Sequence, residues 1–279
     1  MILIAEAGST KTDWRIISQD GVKKQASGGF NPVVNFDSVY LTQIESQFME
    51  IKAKVQKVFF YSAGINQDLD FSAVVSELKK IFSNAKIEIA SDLLAAGRSL
   101  YGSDTGMIGI LGTGAALGRY ENHQMVYRVP SLGYILGDEG SGFYLGKELI
   151  KRVLRDQVPK ELKEAFLFKY PEFNERKILN TIYGGSRPNK VIASYCEFLS
   201  HHQNHPYFNH LIYKAFMHFF DSFHNHFIHE KELKWRFVGS VAFYFEEILK
   251  KAGSEYDLYI DQVIQAPIDA LTLYHQQNG

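Results

Sequence analysis

An α/β fold in two lobes is the architecture that this sequence of 279 residues predicts. Three observations carry the expectation. A β-meander broken by glycine turns opens the chain over residues 1–27, and a second runs over 107–129. Strand–helix alternation follows each meander, the pattern of a sheet covered by helices. The length suits two domains of ordinary size. The expected division is an N-terminal domain over 1–103, completed by a C-terminal helix over 266–279, and a second domain over 104–265. Ser99–Gly106, rich in Gly, Ser and Asp, is the expected hinge.

Met1–Ala7 is apolar and ends at Gly8. Thr12–Ser18 alternates loosely through Trp14, Ile16 and Ile17, and Gly21 turns the chain into Val22–Ser27. Apolar residues at 41, 44, 48 and 51 predict a helix within Asp37–Lys52. Val55–Ser62 reads as a buried strand ending at Ala63 and Gly64. Phe71–Phe82 has helical spacing. Ile87–Ala90 is a strand, and Ser91 with Asp92 caps the helix after it. In the second half, Met107–Leu111 and Ala115–Tyr120 flank the turn Gly112-Thr113-Gly114, with Met125–Val129 as a third strand. Gly137–Gly142 leads into a helix reaching Arg155, and Lys160–Glu230 is mostly helical. Arg236–Gly239 is a strand, Ser240–Lys251 a helix, and Pro267 starts a short last helix.

Composition excludes several classes. Thirty basic residues against 31 acidic ones give a net charge of −1, which is not that of a generally basic nucleic-acid binder. One cysteine excludes a disulfide framework and a four-cysteine metal site. The longest apolar runs are too short to cross a bilayer, and the first residues lack the features of a signal peptide. A cytoplasmic protein with neither a membrane nor a nucleic-acid partner is expected.

Two glycine turns suit phosphates. Gly8-Ser9-Thr10-Lys11-Thr12 lies between two strands, where glycine lets backbone N–H groups approach an anion and Ser, Thr and Lys add donors. It lacks the P-loop spacing and no helix follows it, so alone it reads rather as a tight hairpin with a solvated lysine. Gly112-Thr113-Gly114 holds the equivalent place in the second meander. Phe237-Val238-Gly239-Ser240 is a strand–glycine–helix junction that would let a flat ring lie against the backbone. Three places carry carboxylates suited to phosphoryl transfer: Glu6 at the end of the first strand, Asp92 after a buried strand, and Asp138 with Glu139 in a glycine-flanked loop. Asp92 could equally be a helix cap and Asp138 a turn residue.

Six motifs occur in order: AEAGSTKTDW at 5–14, SAG at 62–64, SDLLAAG at 91–97, GILGTGAALG at 109–118, GDEGSGFYLG at 137–146 and VGSVAF at 238–243. Together the chain resembles the BadF/BadG/BcrA/BcrD ATPase family, and within it the N-acetylglucosamine kinase-like proteins of the actin-like superfamily. The resemblance covers most of the chain and thins between about 155 and 230. It implies two ribonuclease H-like domains with ATP and Mg²⁺ in a cleft between them, a sugar as acceptor, and a homodimer as an admissible assembly. Residue by residue, it implies Gly8, Ser9, Thr10, Lys11 and Thr12 as one phosphate loop and Gly112, Thr113 and Gly114 as the other. Gly239 and Ser240 match the adenosine motif. Glu6 matches the Mg²⁺ position, through water. Asp92 matches the base that takes the proton of the sugar 6-hydroxyl, and Asn31, Gly64, Asp138 and Glu139 match sugar-binding positions.

Two departures concern the site. Glu6 stands where the family usually has Asp, which moves the carboxylate outward by a methylene. Ala115 and Ala116 stand where eukaryotic sugar kinases have Ser-Asn, removing an amide that helps hold the sugar. Eight of the ten histidines fall between His201 and His229, but an apolar stripe through Phe208, Leu211, Ile212, Phe216, Phe219, Phe220, Phe223 and Phe227 predicts an amphipathic helix rather than a metal site. Those phenylalanines are core or a dimer surface, and Cys196 a packed small hydrophobe.

The leading functional expectation is an ATP-dependent kinase acting on an amino sugar or related hexose. A second branch of the family, the activators of acyl-CoA dehydratases, bridges two subunits with a [4Fe–4S] cluster held by two cysteines from each. A lone Cys196 excludes it. The remaining alternative is an actin-like regulatory ATPase module without sugar transfer.

Overall fold

The computed structural model describes residues 1–8, 11–30, 38–65, 70–185, 187–227, 229–230 and 232–278. The chain divides into two compact units. Unit 1 is Met1–Asp104, Tyr120–Met125 and Ala266–Gly279, and unit 2 is Thr105–Arg119 and Val126–Gln265.

Unit 1 is built on strands β1 (Ile2–Ala7), β2 (Lys11–Ser18), β3 (Gly21–Gly28), β4 (Lys57–Ser62) and β5 (Lys86–Ser91), in the order β3-β2-β1-β4-β5. β1–β2 and β2–β3 pair antiparallel, while β1–β4 and β4–β5 pair parallel. β1 is central, so its sequence ILIAEA is apolar on both faces except at Glu6. One face packs Trp14, Phe48, Phe60 and Phe82 with α1 (Ser38–Gln47) and α2 (Ser72–Ile81). The opposite face carries Ile4, Tyr61 and Ala90 against α3 (Asp92–Tyr101) and the C-terminal helix (Ile268–Asn278), through Ala95, Ile268 and Leu271. Arg15 of β2 anchors that C-terminal helix: it is buried and forms two bonds with Asp269, from Nε at 2.9 Å and Nη2 at 2.8 Å.

Unit 2 has the strands β6 (Gly106–Leu111), β7 (Ala115–Glu121), β8 (Gln124–Arg128), β9 (Trp235–Val238) and β10 (Ile260–Ile264), though residues 120–125 at the β7–β8 turn belong to unit 1. The sheet order is β10-β9-β6-β7-β8, with β6–β9 and β9–β10 parallel. Read from β8, this is the β3-β2-β1-β4-β5 order again, so the two meanders of the sequence open two sheets of one topology. Between β8 and β9 run α4 (Gly133–Leu136), α5 (Gly142–Leu154), α6 (Lys160–Lys169), α7 (Glu175–Gly184), α8 (Pro188–Ser194), α9 (Cys196–His202) and α10 (Pro206–Phe227). α11 (Ser240–Tyr244) and α12 (Glu246–Ser254) follow β9, and the C-terminal helix is α13.

The phenylalanines of α10 are core: Phe208, Phe216, Phe219, Phe220 and Phe227 are buried with Trp235 and Phe237, and Phe223 packs partly against them. His210, His218 and His229 are exposed, and no group of three potential metal ligands occurs among the described residues. Cys196 is buried in the same core, which pushes its thiol pKa up to about 12.

Three elements differ from the sequence expectation. The helix expected over Ser240–Lys251 breaks at Phe245 into α11 and α12. β10 was not legible because its interior holds Asp261 and Gln262. Asp261 is matched by a two-point ion pair with Arg236 on β9, at 2.9 and 3.0 Å. The single turn α4 was also missed. No helix among the described residues is long and apolar enough to cross a membrane.

Candidate functional site

In unit 1 the candidate residues gather at the carboxyl ends of β1, β4 and β5, the parallel part of a mixed sheet, where ligands of α/β proteins bind. Glu6 is paired with Asp13 across the β1–β2 ladder and with Tyr61 across β1–β4. Ser62, at the end of β4, is in register with Ser91, at the end of β5. Gly64 follows in a left-handed turn at φ 80°. Ser91 caps α3, its Oγ accepting from Leu94 N at 3.1 Å, and this fixes Asp92 as the first residue of the helix. Asp92 Oδ1 accepts from Leu93 N at 2.8 Å.

The electrostatics join these groups. Burial, then the neighbouring Asp13 and Asp92, push the Glu6 carboxyl up to about 7, against the opposing pull of Lys11 and Arg15. Burial also raises the Asp92 pKa, opposed by its backbone hydrogen bonds. Lys11 Nζ is ion-paired with Asp13 Oδ2 at 2.7 Å and is largely exposed. Gly8 closes the turn, its N–H donating to Lys11 O at 2.9 Å. The Thr12 hydroxyl is buried, donates to Gly28 O at 2.9 Å and lies 3.0 Å from Tyr40 Oη. Ser9, Thr10 and Asn31 lie outside the described residues.

Unit 2 brings together a second set. The turn between β6 and β7 is held from behind by the start of α5: Gly142 N donates to Gly112 O at 2.8 Å and Phe143 N to Thr113 O at 3.1 Å. Gly112 N is bonded within the turn to Gly114 O. The Gly112 N–H is thus used inside the turn, whose further donors are the Thr113 and Gly114 N–H groups and the Thr113 hydroxyl. Asp138 Oδ1 accepts from Ala115 N at 3.0 Å. Glu139, half-buried, adds to the effect of burial in raising the Asp138 pKa. Gly239 stands at φ 124°, where a Cβ would meet Leu111 O at 2.2 Å and Gly112 N at 3.1 Å. Its glycine is therefore what lets the β9–α11 junction lie against the same turn. Ser240 is exposed at the start of α11.

Sequence reasoning missed Asp13. The signal was available: counting back from the Gly8 turn pairs Ala7 with Thr12 and Glu6 with Asp13, so a second carboxylate sits beside the first.

A scan against models of protein families finds no match, and a search of curated proteins finds none. Among solved structures, the chain is similar to the putative N-acetylglucosamine kinase of Porphyromonas gingivalis, with 31% identity, a TM-score of 0.91, and coverage of 100% of this chain and 99% of that one. It is similar in fold to a putative N-acetylglucosamine kinase from Chromobacterium violaceum, at 16% identity and a TM-score of 0.68, covering 98% of each chain. A ROK family glucokinase from Streptomyces griseus, in complex with glucose and AMPPNP, matches at 14% identity and a TM-score of 0.58 over 100% of this chain and 98% of that one. The last two likenesses concern the fold alone. At 31% identity over its whole length, the chain belongs to the family of the Porphyromonas gingivalis putative N-acetylglucosamine kinase and shares its two-domain, actin-like α/β fold.

Proposed function

We propose that the protein is an ATP-dependent kinase that phosphorylates the 6-hydroxyl of an amino sugar such as N-acetylglucosamine or a related hexose, and that it stands with the BadF/BadG/BcrA/BcrD ATPases. The observation that carries this reading is Asp92, a carboxylate of raised proton affinity at the carboxyl end of β5, electrostatically coupled to Glu6 at the end of β1. The 31% identity to the P. gingivalis putative N-acetylglucosamine kinase supports the same activity.

Phosphoryl transfer asks for alignment and charge stabilisation more than for covalent chemistry. One oxygen of Asp92 is engaged by Leu93 N. The other would take the proton of the sugar hydroxyl as its oxygen bonds to the γ-phosphorus and the bond to the bridging oxygen of ADP breaks. Burial raises the basicity of Asp92 toward that task. In unit 2 the N–H groups of Thr113 and Gly114 would donate to phosphate oxygens; in unit 1 Gly8 and Lys11 belong to the other proposed phosphate turn. Gly239 and Ser240 would border the adenosine, and Gly64, Asp138 and Glu139 the sugar.

The donor chemistry fits Mg²⁺. Glu6 is a hard oxygen donor that feels the charges of Asp13 and Asp92, while no group of three potential metal ligands occurs among the described residues. That suits an ion bound mainly by nucleotide phosphates and its own waters, with Glu6 reaching it through water. When bound, it would neutralise charge on the transferring group.

The test is thermal stabilisation across a panel of amino sugars and hexoses, with and without a non-hydrolysable ATP analogue. A kinase gains a sugar-selective shift. A protein stabilised by nucleotide but by none of the sugars is instead the actin-like regulatory module.

A further inference from the structure

The turn between β6 and β7 is gripped at three points. Two are the backbone N–H groups of Gly142 and Phe143 on the carbonyls of Gly112 and Thr113. The third is a side chain: Asp138 Oδ1 accepts from Ala115 N at 3.0 Å, immediately after the turn. The carboxylate is seated tightly there, because a Cβ on Gly114 would come within 2.9 Å of Asp138 Oδ2. Asp138 itself adopts the left-handed conformation at φ 60°, uncommon for a residue with a side chain, and its own carbonyl accepts from Ser141 N at 3.1 Å. Ala115 brings no polar side chain to this spot, so its N–H is the group that Asp138 reads.

We propose that Asp138 is a positioning residue for the Gly112–Gly114 turn, so that nucleotide affinity depends on its carboxylate even when no acceptor sugar is present. This rests on the reading of the turn as a phosphate site and adds to it a second role for a residue matched to the sugar. A hydrogen bond to a charged acceptor is worth enough that its removal corresponds to about tenfold in affinity or more.

The experiment is calorimetric titration of the whole protein with AMPPNP and Mg²⁺, without sugar. D138A is expected to bind about tenfold more weakly than the unaltered protein. D138N keeps an amide oxygen that can accept from Ala115 N, and is expected within two- to threefold. Unchanged affinity in D138A overturns the proposal. So does an equal loss in D138A and D138N, since the Ala115 bond would then not be its cause. G114A approaches the same contact from the turn, pushing the carboxylate off its seat, and serves where D138A gives no cooperative melt. A folded G114A of unchanged affinity also overturns the proposal. Failure of the unaltered protein to bind AMPPNP overturns the kinase reading itself, and the inference with it.

Discussion

Glu6 on β1 and Asp13 on β2 are direct partners across an antiparallel ladder, so two carboxyl groups occupy one face of the sheet at its carboxyl edge. Burial first, and then the charges of Asp13 and Asp92, disfavour the ionised Glu6 carboxylate. With its pKa raised from 4.5 to about 7, folded Glu6 keeps a proton that the unfolded chain releases in that window. The Glu6 contribution to the stability of the ligand-free protein therefore falls as pH rises from 4.5 through about 7, and levels off above. Glu6→Gln removes this loss. Urea titrations should find E6Q more stable than the unaltered protein at pH 8, by at most about 3 kcal/mol, and equal to it near pH 4.5. Parallel pH profiles for the two proteins would contradict the shift.

Asp92→Asn separates chemistry from nucleotide binding. The amide cannot take a proton, and it changes no group assigned to the nucleotide. Turnover should drop by about 10²–10⁴, the range of general-base catalysis, while AMPPNP affinity stays within a few-fold. Steady-state kinetics with calorimetric titration checks both. Full turnover in D92N removes Asp92 from the mechanism.

Gly239→Ala meets backbone rather than a flexible side chain. The added methyl would lie 2.2 Å from Leu111 O, at a φ of 124° that L-residues rarely adopt. A destabilisation of about 2 kcal/mol or more is expected, with weakened nucleotide binding, because the displaced atoms belong to the turn that precedes Thr113. A thermal melt and an AMPPNP titration measure the two effects.

His275 sets an acid limit on stability. It is buried 2.8 Å from Tyr61 Oη, stacks on Phe59 at 3.8 Å, and is pushed down to about 3 by burial, then by the charges of Arg98 and Lys57. The unfolded chain takes up a proton below pH 6.5 that the folded one refuses, so this contribution is intact above 6.5 and declines toward pH 3. His275→Phe should be less stable at pH 7, since Tyr61 loses a partner, yet lose less stability on acidification. Denaturation at pH 7 and pH 4.5 distinguishes the two slopes.

Much of this was legible in the sequence because local rules and tertiary context agree. The hairpin at Gly8, the cap at Ser91 and the turn at Gly112–Gly114 are set by residues within a few positions of each other. β10 was hidden because an ion pair with Arg236, remote in sequence, is what makes Asp261 acceptable in a strand. The break at Phe245 has no proline or glycine to announce it. Within the site, Glu6, Asp92 and the glycines could be read from motif order, whereas the core-facing hydroxyl of Thr12 and the bond from Ala115 to Asp138 depend on side-chain directions that motif order does not encode.

Incubation with ATP and Mg²⁺, following ADP release with and without each sugar of an amino-sugar and hexose panel, tests the account most directly. ADP formation should depend on an amino sugar or hexose, be stoichiometric with its 6-phosphate, and disappear in D92N. ADP release at the same rate with every sugar and with none would contradict it.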